Sequence, residues 1–231
     1  MSFQPVLTST GVAGWRFLQR TYQNQFEAFS QSAAIARDTD QFLARIGQVK
    51  SAGDLVQDRQ LLTVALGAFG LQNDLDNRFF VQKILEDGVA ADDALANRLA
   101  DKRYREFSAA FGFGPGATLK TGQRARMEEI VADFRAQTFE IAVGETDDTM
   151  RVALYGQREL PDLAAKDVAD STKWYTVLGL PPLRNLFQVA LGLPTGVSQV
   201  DIDKQVEIFR EKLDRVTGSE SIAQFSDPEN L

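Results

Sequence analysis

Arg59-Gln60-Leu61-Leu62-Thr63-Val64-Ala65-Leu66-Gly67 returns later in the chain as Arg184-Asn185-Leu186-Phe187-Gln188-Val189-Ala190-Leu191-Gly192, identical at six of nine positions. Within the first copy, Leu61, Leu62, Ala65, Leu66 and Phe69 recur at three- and four-residue steps, which places them on one face of an α-helix. Both copies run into an apolar-Gly-apolar stop, and the order of features around them also repeats. Asp74-Leu75-Asp76 follows the first copy and Asp201-Ile202-Asp203 the second. Phe42-Leu43 with Ile46-Gly47 precedes the first, as Trp174-Tyr175 with Leu178-Gly179 precedes the second. Three matched blocks in one order predict an internal duplication. Under it, Leu61 falls on Leu186 and Leu66 on Leu191, all four buried.

Working outward, helical spacing dominates the chain. Trp15, Leu18, Tyr22, Phe26, Phe29 and Ala33 mark a long first helix. Met127, Ile130, Val131, Phe134 and Ile141 mark another, and Ile202, Val206, Phe209, Leu213 and Val216 a last one. No period-two run of β-branched residues persists, so no strand is predicted. Stops are read at Phe69-Gly70-Leu71, Gly88, Phe111-Gly112-Phe113, Leu178-Gly179-Leu180 and Leu191-Gly192-Leu193. There a glycine can turn left-handed and the next apolar residue folds back. Asp58 and Ser171 read as N-caps, and Pro181-Pro182 as the opening of a helix.

The expected architecture is all-α and multihelical. A ten-residue N-terminal extension (1–10) leads into a first helical repeat (11–90). A connecting helix through Leu95, Leu99, Tyr104, Phe107 and Phe111 and a Gly-rich loop at Gly112–Thr118 fill 91–126. A second repeat (127–217) and a polar, mobile tail (218–231) complete the chain.

Composition removes much chemistry. With 231 residues, no cysteine and no histidine, the chain has no thiolate, disulfide, Cys/His zinc site or imidazole base. The formal net charge of −7 disfavours binding to nucleic acid or to anionic membrane surfaces. No apolar run spans a bilayer, and the first ten residues carry no secretory pattern. The expected location is cytoplasmic, or outside the cell by a route without a cleavable signal.

The remaining motifs read as structure. The loop from Gly112 to Gly122 lacks the Gly-Lys-Ser/Thr sequence of a Walker loop and has no preceding strand. A calcium loop counted from Asp74 puts Phe79 where glycine is required and Leu85 where glutamate is required. The acidic pairs Asp74/Asp76, Asp92/Asp93, Asp147/Asp148 and Asp201/Asp203 sit at expected helix starts, where the helix dipole favours negative charge. The phenylalanines fall on stripes that pack a core. The one stretch that reads as a recognition surface is Asn97–Glu106. Asp101 can pair with Arg98 at i−3 and Arg105 at i+4, and Arg and Tyr are favoured at interfaces. The candidate partner-binding residues are Arg98, Asp101, Arg103, Tyr104 and Arg105. No catalytic residue, metal ligand or cofactor is expected.

Three stretches carry a resemblance: Leu66-Gly-Ala-Phe-Gly-Leu71, Leu95-Ala-Asn-Arg-Leu99 with Arg103-Tyr104 and Phe107, and Trp174-Tyr175 with Val189-Ala-Leu-Gly-Leu-Pro194. Through them, from about Trp15 to Val216, the chain resembles a family of uncharacterised alphaproteobacterial proteins often encoded among flagellar genes. The resemblance implies a multihelical fold, a role in flagellar assembly or motility, and protein partners among flagellar components. It supplies no active site. The expected function is therefore a non-enzymatic structural or adaptor protein. A carrier of an apolar ligand held between the two repeats is the alternative, and an enzyme using only carboxylates, Lys or Tyr is a third reading.

Overall fold

A computed structural model describes residues 3–231. Among them are twelve α-helices and no strand, as the spacing predicts. The chain divides into two compact units at Asp148/Thr149.

The first unit holds α1 (Gly11–Ser30), α2 (Ala33–Arg45), α3 (Ala52–Gln57), α4 (Arg59–Ala68), α5 (Arg78–Asp87), α6 (Leu95–Arg98), α7 (Arg103–Phe111) and α8 (Arg124–Gly144). The expected long first helix ends at Ser30, and Ala33 opens α2. Ser32 between them leaves helical backbone geometry (ψ 143°), a position serine suits. Helix α8 is the spine of this unit, with α1, α2 and α4 packed on it. Its Phe139 is fully buried and meets Tyr22, Phe26 and Phe29 of α1 edge-on at ring separations of 5.5–5.6 Å. Helix α4 approaches α8 closely because Gly67 has no side chain. A Cβ there would lie 2.7 Å from the Phe134 ring.

Before α1, the extended N-terminal segment folds back on the helix. Gln25, buried in the apolar stripe, holds it at both backbone groups of Val6. The Val6 N–H donates to Gln25 Oε1 (2.7 Å), and Gln25 Nε2 donates to the Val6 carbonyl (3.1 Å) and to Thr21 Oγ1 (2.8 Å). A buried amide is thereby satisfied by an element that a helical pattern does not reveal.

The second unit holds α9 (Asp148–Ala165), α10 (Asp170–Gly179), α11 (Pro181–Ala190) and α12 (Ile202–Thr217). Trp174 is at its centre, fully buried, with its ring against Phe187 and Phe209. The expected cap at Ser171 is the second residue of the helix, since α10 begins at Asp170. That aspartate instead binds the C-terminal segment, accepting from Ser221 Oγ (2.8 Å) and the Ile222 N–H (3.0 Å). Within residues 218–231, expected to be mobile, the stretch 220–225 is seated, while 226–231 are exposed. Ile222 and Phe225 are buried, and the Glu220 carbonyl accepts from the Trp174 indole (3.0 Å). The two apolar residues lie within one short 3₁₀ segment, Ile222–Ser226, which a 3.6-residue period does not detect. On α12, Val206, Phe209 and Leu213 are buried, whereas the stripe ends Ile202 and Val216 are exposed.

Helix signals behave individually. Asp58 caps α4, accepting from the N–H groups of Gln60 and Leu61, and Pro181-Pro182 open α11. Gly70, Gly88, Gly112 and Gly192 take positive φ as expected, but Gly179 does not. Helix α10 ends because Leu180 precedes a proline and is forced out of helical geometry (φ −110°, ψ 102°).

The nonapeptides do not occupy equivalent helical positions. Arg59 is the first residue of α4, while Arg184 is the fourth of α11. Counted from their glycine stops instead, α4 and α11 share several local features. Both helices have ten residues, and both close with the same two bonds around a left-handed glycine. Leu71 N–H donates to Leu66 O and Gly70 N–H to Gly67 O (2.9 and 3.1 Å). Leu193 N–H donates to Gln188 O and Gly192 N–H to Val189 O (2.9 and 3.1 Å). In each unit the preceding helix, α3 or α10, packs on the two that follow it. Leu61, Leu66 and Leu191 are buried. Leu186 is only half-buried, packed toward Gly156 of α9, where a Cβ would meet its Cδ2 at 2.2 Å.

Candidate protein-binding surface

The recognition stretch lies on α6, α7 and the turn between them. The single connecting helix predicted here is two helices. Leu99 is extended (ψ 141°) after α6, so residues on either side of it do not share a helical face. Asp101 consequently pairs with Arg103 rather than with Arg98 and Arg105. Its carboxylate takes both the Nε and Nη2 of that guanidinium (3.0 and 2.7 Å) and also the Arg103 backbone N–H (3.0 Å). The remaining Nη1 donates to the Gly70 carbonyl (2.7 Å). Arg103 thereby satisfies a carbonyl freed where α4 stops, and ties α7 to that stop.

Tyr104 is also used internally. Its hydroxyl donates to Asp74 Oδ2 (2.6 Å), whose other oxygen accepts from Asn77 Nδ2 (2.8 Å), and its ring meets Phe80 of α5 edge-on at 5.3 Å. Burial, followed by the bond to the Asp74 carboxylate, pushes the phenol well above its ordinary value of 10.0. With the folded value raised, the stabilisation is complete below pH 10 and is lost as the phenol ionises at higher pH. Tyr104→Phe should therefore cost about 1.5 kcal/mol at neutral pH, the range for a bond to a charged acceptor. The difference between the two proteins in urea denaturation should shrink in strongly alkaline buffer. An unchanged midpoint at neutral pH would show that the bond contributes nothing.

The other two candidates face solvent. Arg98 is exposed, and its side chain has no hydrogen bond or ion pair among the described residues. Arg105 is exposed and donates from Nε to Asn97 Oδ1 (3.1 Å). Asn97 in turn donates to the Val89 and Ala91 carbonyls (3.0 and 2.8 Å), and Lys102 Nζ donates to Asn97 O and Leu99 O. The arginines thus stand on a backbone pinned from several sides. One residue of this region was not legible as a surface group. Phe79 of α5, adjacent to the Phe80 that packs on Tyr104, is 85% exposed. Its place in an aromatic pair gave no sign of which ring faces outward.

The acidic pairs divide by role. Asp201 caps α12, accepting from the Asp203 N–H (2.9 Å), and Asp203 accepts from the Tyr175 hydroxyl. Asp76 pairs with Arg59 (2.7 Å), whose guanidinium holds its carboxyl below the usual range. Asp74 serves Tyr104 instead of capping a helix. Among the described residues, no three Asp or Glu side chains converge as a metal site would require. The Gly-rich loop is a crossing point. Gly114 passes so close to Gly88 that a Cβ on either would lie within 2.8 Å of the other's Cα. Lys120 Nζ donates to Ala109 O (2.6 Å), and buried Thr121 donates to Val49 O (2.8 Å).

Fold and surface together define an all-helical protein of two compact units, with no described helix long and apolar enough to cross a membrane. Residues 68–231 match the family described as "Protein of unknown function (DUF1217)", and the chain belongs to that family. It is also similar to a crystallised protein of Agrobacterium tumefaciens, solved as a structural genomics target. The two are 26% identical, with a TM-score of 0.77 over 98% of this chain and 91% of that one. No curated protein matches the sequence.

Proposed function

We propose that this protein is a non-enzymatic structural or adaptor protein of the bacterial flagellar system, acting through the surface formed by α5, α6 and α7. The observation that carries the choice of surface is the conjunction of Phe79, 85% exposed, with the exposed Arg98 and Arg105 on adjoining elements. Aromatic residues and arginine are enriched at protein interfaces, and Phe79 presents such a ring nearly bare on α5. Asp101, Arg103 and Tyr104 contribute by fixing the backbone beneath, which lowers the ordering cost of docking. The flagellar assignment, and with it an alphaproteobacterial setting, rests on the resemblance borne by the Leu66–Leu71, Leu95–Phe107 and Trp174–Pro194 stretches.

The common closing geometry of α4 and α11, and the shared packing of α3–α5 and α10–α12, support a second part of the proposal. These three-helix stretches descend from one duplicated unit, with Gly70 equivalent to Gly192. The matched nonapeptides are then one turn out of structural register.

The test of the function is recovery of partners from cells carrying tagged protein, read by mass spectrometry against Phe79→Ala. Flagellar export, rod or hook components recovered with the parent and lost with the variant support the proposal. Recovery of none of them, or equal recovery with both, overturns it.

A further inference from the structure

A cleft of about 340 Å³ opens between α1, α2 and α8 in the first unit, with Phe26, Glu27, Ser30, Ala36, Ala132 and Arg135 on its walls. Arg135 is half-buried, and among the described residues its one side-chain hydrogen bond runs from Nη2 to Thr39 Oγ1 (3.0 Å). Among the described residues it has no carboxylate partner, although the chain carries an excess of acids. Its Nε is buried without an acceptor, and the Ser30 hydroxyl on the same cleft is likewise buried without a partner. Arg184 and Arg210 also have a buried unpartnered Nε and one bond from Nη2, to Gln205 and Glu220, but only Arg135 shares a cleft with a second unpartnered donor among the described residues. Buried donors without acceptors are costly and uncommon, and two of them on one cleft point to a ligand that supplies the acceptors.

We infer that this cleft binds a small organic monocarboxylate with an apolar tail. A planar guanidinium and a hydroxyl on the walls of one cleft suit the two oxygens of a carboxylate, while Phe26, Ala36 and Ala132 offer apolar surface to a hydrocarbon group. Glu27, held to Gln31 Nε2 at 3.2 Å, places a negative charge on the same lining. That charge disfavours a dianion such as phosphate, and leaves a singly charged group as the better match. The site is independent of the adaptor reading, since none of its residues belongs to α5, α6 or α7.

The test is calorimetric titration of the full chain with 3-phenylpropionate. Acetate, 3-phenylpropanol and inorganic phosphate serve as comparisons, lacking respectively the tail, the carboxylate and the single charge. Saturable binding of 3-phenylpropionate is expected, with weaker binding of all three comparisons. Arg135→Gln should weaken it by about tenfold, the loss for a bond to a charged group. Ala132→Trp, which keeps the arginine and fills the cleft, should abolish binding and guards against misfolding of the first variant. Absence of saturable binding, binding unaffected by either variant, or phosphate binding as tightly as the carboxylate would each overturn the inference.

Discussion

Trp174→Ala is expected to destabilise the second unit by about 4 kcal/mol, within the range for truncating a large buried aromatic. The indole is completely buried. Its ring meets Phe187 at 5.4 Å and Phe209 at 6.3 Å, so it joins α10 to α11 and α12. Its N–H also holds the Glu220 carbonyl, and that bond keeps the chain after α12 in place to bury Ile222 and Phe225. Alanine removes the ring contacts, leaves a cavity and strips a carbonyl of its donor. Trp174→Phe keeps part of the ring packing and should cost less. Hydrogen exchange read by mass spectrometry should show protection falling across α10–α12 and residues 220–226. A loss below about 1 kcal/mol would mean that this core is held by something other than the indole.

The second large effect is expected at the crossing of Gly88 and Gly114. Gly88 has φ 67° and ψ −149°, a region open to glycine and strained for any other residue. A Cβ there would also stand 2.8 Å from the Gly114 Cα, a backbone atom that cannot swing aside. Strain and overlap act together, so Gly88→Ala should cost about 3 kcal/mol or more in chemical denaturation. Gly114→Ala should behave similarly, since its Cβ would lie 2.3 Å from the Gly88 Cα. Gly122→Ala is the control. Nothing lies within 4 Å of the added carbon and its φ is not positive, so stability should change by less than about 0.5 kcal/mol. Equal effects at all three glycines would remove the close crossing as the explanation.

These two sites also show what the sequence discloses. Trp174 and its partners lie on helical stripes, so the core of the second unit was readable in its residues. Glycines 88 and 112 announced themselves as helix stops, but the crossing of 88 by 114 depends on two segments meeting in space. Helix breaks at Ser32 and Leu99 carry neither proline nor glycine, and tertiary packing overrides the local pattern there. The second break re-paired Asp101 with Arg103 and turned three of the five recognition residues into supports. Ser30 and Arg135 look like ordinary polar positions on amphipathic helices. Only the packing of α1 against α8 makes them neighbours of one cleft.

The adaptor account is tested most directly by reversing the two arginines that remain exposed. Arg98→Glu with Arg105→Glu breaks no ion pair and one exposed hydrogen bond, from Arg105 to Asn97. Stability should therefore change by no more than about 1 kcal/mol. Recovery of the partner from cells should nevertheless collapse, and motility fall with it, because reversed charge opposes the acidic surface that the arginines would meet. A folded double variant that recovers its partners and swims as the parent does would contradict the account.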